Sequence, residues 1–168
     1  MYGAALLLAA CSPALDWREV PLAGTDLLGR FPCHPSHVVR NVELMGRQQQ
    51  FALTSCDAGG VTYGIITTDV EDPTRVDAAL TTLAEAARRS VGASNATIVP
   101  LAFAGVTPYR GDIRMRLSGR RGDGQGVEES ISLFARGTRV FQATAIGPAL
   151  PPAAVEPFHA GLRFRDLS

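Results

Sequence analysis

The chain contains no lysine: all 16 of its basic residues are arginine, and they balance 16 acidic residues for a formal net charge of zero. Without a side-chain amine there is no P-loop lysine, no pyridoxal phosphate Schiff base and no serine–lysine hydrolase, because each of those chemistries runs through a lysine nitrogen. A GC-rich coding sequence accounts for the arginine bias without a functional reason. The missing basic surplus also argues against an electrostatic nucleic-acid partner, which needs excess cations to displace counterions. Histidine is scarce, with only His34, His37 and His159, and no Gly-x-Ser-x-Gly elbow occurs. His159 stands among packing residues with no nucleophile nearby in sequence, so it reads as a structural or solvated histidine. No Cys-x-x-Cys is present, so thiol exchange has no motif to rest on. The expectation is a protein that is not an enzyme and carries no cofactor.

What is present is informative first at the start of the chain. Leu6-Leu7-Leu8-Ala9-Ala10-Cys11-Ser12 is a short apolar run ending in small residues and a cysteine. It is too short for a membrane span, which needs about 20 apolar residues, and Asp16, Arg18 and Glu19 follow closely. Leu8-Ala9-Ala10-Cys11 resembles the lipobox of bacterial lipoproteins. The resemblance implies a signal peptide over residues 1–10, covalent lipid (diacylglycerol and an acyl chain such as palmitate) on Cys11, and a lipidated tether over 11–16. Ser12, with no Asp there, resembles lipoproteins sorted to the outer membrane, facing the periplasm. Two or three acyl chains hold a protein firmly where one does so only marginally. A secretory leader begins with positive charge, and Met1-Tyr2-Gly3 has none, so the true start is expected upstream.

With Cys11 assigned to lipid, Cys33 and Cys56 remain as a pair. In an oxidising compartment the simplest expectation is a disulfide, worth about 3.5 kcal/mol in the chain-entropy picture. The competing readings are a redox pair or a metal site with His34 and His37. The second is weak, because the proline within His34-Pro35-Ser36-His37 keeps both imidazoles from sharing one helical turn.

The remainder, residues 17–168, has the size and the 46% apolar content of one globular domain. Trp17–Val20 and Leu27–Pro32 read as extended pieces. Val38–Leu44 and Gln48–Cys56 read as a hairpin turning at Met45-Gly46-Arg47, with Val61–Val70 as its neighbour. A helix follows: Asp72 caps it, Pro73 suits its first turn, and Val76, Leu80, Leu83, Ala84, Ala87 and Val91 form one apolar stripe ending at Gly92. Arg75, Glu85, Arg88 and Arg89 fall on its wet side. Thr97–Ala104, Ile113–Leu117, Val127–Ala135 and Arg139–Gly147 read as strands, and Ala153–Leu162 as a short final helix with Phe164 packed beneath it. The expected fold class is α+β: an antiparallel sheet of about six to eight strands with a central and a C-terminal helix.

Three segments carry a second resemblance: Gly29-Arg30-Phe31-Pro32-Cys33-His34-Pro35, Leu133 to Gln142, and Phe158 to Phe164. In this order they resemble the PsbP-like alpha/beta/alpha sandwich, and the whole is similar to small proteobacterial envelope lipoproteins with the same two cysteines. The lysines of photosystem docking have no counterpart, so that function does not follow, and fold likeness alone would not carry it.

Arg114 and Arg116 share a strand face, with Arg120 and Arg121 just beyond, giving a possible anion patch; Arg116 is expected diagonal to Glu128 across the hairpin. Glu128 and Glu129 point to opposite faces of their strand, which argues against a paired-carboxylate site. Both Arg110-Gly111-Asp112 and Arg121-Gly122-Asp123 spell the integrin tripeptide, a chance match at this length. The functional expectation is an interaction or structural module of the cell envelope, bound to the membrane by its lipid and to an envelope protein by contact. The alternative is a small-ligand or lipid binder using a groove between sheet and helix.

Overall fold

A computed structural model describes residues 15–101 and 103–165. Seven strands form one antiparallel sheet in the order β3 (Ser36–Leu44), β4 (Arg47–Ala58), β5 (Val61–Asp69), β9 (Arg139–Gly147), β8 (Gly126–Arg136), β7 (Ile113–Arg120) and β6 (Ala93–Val99). Two meanders therefore meet where β5 pairs with β9. The first turns at Met45 and Gly46, both at positive φ, which gives a two-residue hairpin loop whose twist matches its strands. A second sheet, β1 (Arg18–Pro21), β2 (Leu27–Phe31) and β10 (Arg163–Phe164), runs in the order β1-β2-β10.

The chain passes from one meander to the other through α1 (Val76–Ser90), preceded by a 3-10 turn at Pro73–Arg75. Asp72 caps that turn, its carboxylate accepting from Thr74 N at 2.9 Å. Because β5 is central and β6 lies at the far edge, the connection must cross β9, β8 and β7 on one face. Helix α1 covers that half of the sheet and leaves β3, β4 and β5 without a helix. Val76, Ala79, Leu80 and Ala87 are buried against Met115, Leu117, Ile131, Leu133 and Val140. Gly92, at φ +53°, ends the helix region after Val91.

The opposite face of the large sheet packs on the small sheet and on α2 (Pro152–Ala160). Small residues make room for α2: Ser130 pairs with Ala145 and Ser132 with Ala143, all on the face it covers. Phe31, Tyr63, Phe134, Phe141, Phe158 and Phe164 fill the layer with edge-on and stacked contacts.

The α+β expectation holds at the level of a mostly antiparallel sheet with two helices, and several details differ. The final helix ends at Ala160, not Leu162, with Gly161 N bonded back to Pro157 O. The strand expected over 97–104 runs Ala93–Val99, because Gly92 turns the chain straight into it and Pro100 cannot continue a ladder. Phe164 is a strand residue paired with Leu27, so the terminal segment builds a second sheet that local pattern did not reveal. Arg75, expected in water, reaches Met45 O at 3.5 Å.

Candidate functional site

The lipidation residue Cys11 lies outside the described residues. The chain enters beside the β4–β5 turn, where Leu15 lies against Gly59. Trp17 then packs edge-on against Tyr63 at 6.0 Å, under the Arg30 guanidinium.

Cys33 and Cys56 are joined in a disulfide with their Cα atoms 6.0 Å apart. Cys33 follows β2 and Cys56 lies in β4, so the bond staples the small sheet to the large one. His34 and His37 are exposed, and His37 Nδ1 lies 3.3 Å from the Thr54 hydroxyl. Among the described residues no three His, Cys, Asp or Glu side chains come together as a metal-holding group.

The four arginines read as an anion patch fall into two settings. Arg114 and Arg116 share one carboxylate, Glu156 on α2, at 2.9 and 3.6 Å. Arg120 turns to the Gly124 carbonyl at 3.0 Å, and Arg121 is exposed in the hairpin loop. Glu128 stands diagonal to Arg116, as expected, but its Oε2 accepts from Leu150 N at 2.9 Å and Arg116 turns to Glu156.

Behind Glu156 lies a buried polar cluster. His159 places Nε2 3.0 Å from Ser130 Oγ and Nδ1 2.9 Å from Ser132 Oγ, and both serines are fully buried. Burial, with the nearby Arg114 and Arg116 charges, pushes the imidazole down to about 3, so it is neutral near pH 7. With both ring nitrogens and both hydroxyls engaged, the cluster seats α2 on β8. Glu129 faces the other side, beside Leu117 and Ile146, with Oε2 unpartnered; burial pushes it up to about 7.

A site missed from sequence lies at the end of the sheet away from the chain's entry. Three consecutive residues of the β1–β2 loop are each held by a different arginine. Arg139 donates to Gly24 O, Arg165 to Thr25 O at 3.0 Å, and Arg136 to Asp26 Oδ2 at 2.9 Å. Arg139 also reaches Asp69 at 3.5 Å. Burial would raise Asp69, but Thr138, the Glu71 amide and Arg139 outweigh it and hold the carboxyl below its ordinary value. Two open hollows of about 730 and 610 Å³ meet at Gly24 and Arg139. Nothing local announces this site, since Arg136-Gly137-Thr138-Arg139 reads only as a turn and its partners lie far away in sequence.

On the α1 face, the half of the sheet without a helix carries an apolar hollow of about 210 Å³ floored by Leu53, Ile66 and Ile146. Strand β3, at the sheet edge beside it, has eight of its nine residues exposed, including Val38, Val39 and Val42 at 39%, 47% and 42%. No known protein family matches the chain, and no curated protein matches it.

Proposed function

We propose that this chain is a lipid-anchored domain of the bacterial envelope, held through Cys11 in the outer membrane and facing the periplasm. It works by contact with a partner protein and not by catalysis. The contact is an extended segment of that partner, added beside β3 as a further strand. The observation that supports this is the exposed β-branched edge of β3, continuous with the uncovered floor of Leu53 and Ile66. An edge strand offers free backbone groups for pairing, and soluble proteins normally blunt such edges. A finer fold assignment, the PsbP-like sandwich, belongs to the same reading and is supported by layers on both faces of the central sheet.

Cys11 lies four positions before Leu15, a reach of at most about 14 Å. An anchor at Cys11 therefore holds the β4–β5 turn near the bilayer and leaves β3 running away from it. The alternative, an apolar-ligand carrier, needs space between sheet and helix; Phe158 and His159 fill that space at α2.

A photo-crosslinking residue placed in native cells at Val38 or Ile66, compared with Glu85 and Arg89 on the outer side of α1, tests the proposal. A discrete adduct from the first pair only is expected, with the Ile66 adduct lost in the Val38→Asp/Val42→Asp double variant. Equal labelling from both pairs would remove the proposal's support.

A further inference from the structure

We infer that the arginine-clamped trench at the end of the sheet away from the chain's entry is a binding site for an acidic oligosaccharide. It adjoins β3 only through Asn41 and does not depend on the lipid anchor. Its two hollows share Gly24 and Arg139, so they form one continuous depression, longer than a single sugar ring needs. One end is walled by Arg136, Arg139 and Arg165. Each guanidinium carries five N–H donors in a fixed fork, and the loop contacts at Gly24, Thr25 and Asp26 use only some of them. Over the whole trench the described residues set four arginines, these three and Arg47, against three carboxylates, Asp26, Asp69 and Glu71, leaving one positive charge in excess. That end suits a carboxylate or phosphate substituent, which guanidinium binds in bidentate fashion.

The rest of the trench is polar, lined by Asn41, Gln48, Gln50 and Thr67 together with one residue of each charge, Arg47 and Glu71. Side-chain amides both donate and accept, as hydroxyl groups do, so they match a polyol. Thr67 is 7% exposed and its hydroxyl has no partner. Such a group costs stability when left unpaired, and rotation about Cα–Cβ lets a bound hydroxyl recruit it. An acidic peptide fits less well. The backbone of β4 and β5 beneath the trench is already paired within the sheet, so a peptide's own amides would find few partners.

The test is titration of the full chain, extracted in detergent, with tetragalacturonate by calorimetry, with maltotetraose, tetraglutamate and inorganic phosphate as comparisons. Saturable binding of tetragalacturonate alone is expected, weakened about tenfold in each of Arg165→Gln and Thr67→Val. Thr67→Val removes only an unpartnered hydroxyl, so its melting temperature should not fall, which separates lost binding from lost folding. No saturable binding at millimolar concentration overturns the inference. So does equal binding of tetraglutamate or phosphate, or unchanged affinity in both variants.

Discussion

Ser132 Oγ lies 2.9 Å from His159 Nδ1 at the centre of the α2 interface, where burial and the nearby Arg114 and Arg116 charges keep the histidine neutral. The imidazole is held at about 3, against 6.5 in an open chain. The unfolded state therefore takes up a proton first as pH falls. The stabilisation is complete above pH 6.5 and is lost at about 1.4 kcal/mol per pH unit on the way down towards 3.

Glu129 acts in the opposite sense. Its carboxyl is raised to about 7, so the unfolded state ionises first as pH rises and stability is lost between about 4.5 and 7. Over pH 4.5 to 6.5 the two slopes oppose each other, and the native protein should show little pH dependence from this pair. Glu129→Gln unmasks the histidine, and its stability should fall steadily from pH 7 to 4.5. His159→Gln should do the reverse, rising as pH falls, although its stability at pH 7 is lower. Urea denaturation of the three proteins across this range checks it; parallel curves would refute it.

Glu129→Gln should also stabilise the protein at pH 8 by about 1–3 kcal/mol, because a buried carboxylate with an unpartnered oxygen becomes a neutral amide. A lower denaturation midpoint at pH 8 would contradict this.

The two Arg-Gly-Asp triplets should respond differently to alanine. Gly111 donates its N–H to Asp77 Oδ1 at 3.0 Å, and a Cβ there would stand 2.6 Å from Leu80 Cβ. Gly122 has nothing within 4 Å. Gly111→Ala should cost about 1–3 kcal/mol and Gly122→Ala almost nothing, measured as a shift in thermal melting.

Reduction of Cys33–Cys56, or Cys33→Ser with Cys56→Ser, should cost about 3–4 kcal/mol through release of the unfolded chain. Because the bond joins the two sheets, amide exchange in β1 and β2 should accelerate more than in β8. Uniform acceleration would argue against a staple acting at that junction.

Much of this molecule is legible in local pattern. The stripe from Val76 to Val91 marks α1, and Met45-Gly46 marks the first hairpin, because period and turn chemistry act over a few residues. Of the two neighbours of β5, β4 is legible from the meander and β9 is not: pairing with β9 is set by where α1 deposits the chain, across a separation no short pattern encodes. For the same reason Arg116 finds Glu156 instead of Glu128, and the trench escapes notice because Arg136, Arg139 and Arg165 meet residues 24–26 only in the folded chain. The packing residues around His159 are legible, while its two serine partners are invisible until β8 lies beneath α2.

The central claim, a disulfide-closed domain tethered by lipid at Cys11, is tested most directly by the intact mass of the protein extracted from native membranes, with and without reduction and alkylation. The expected species begins at Cys11, carries acyl chains, and gains two alkylated thiols only after reduction. An unacylated species with residues 1–10 retained, or with Cys33 and Cys56 alkylated before reduction, would contradict it.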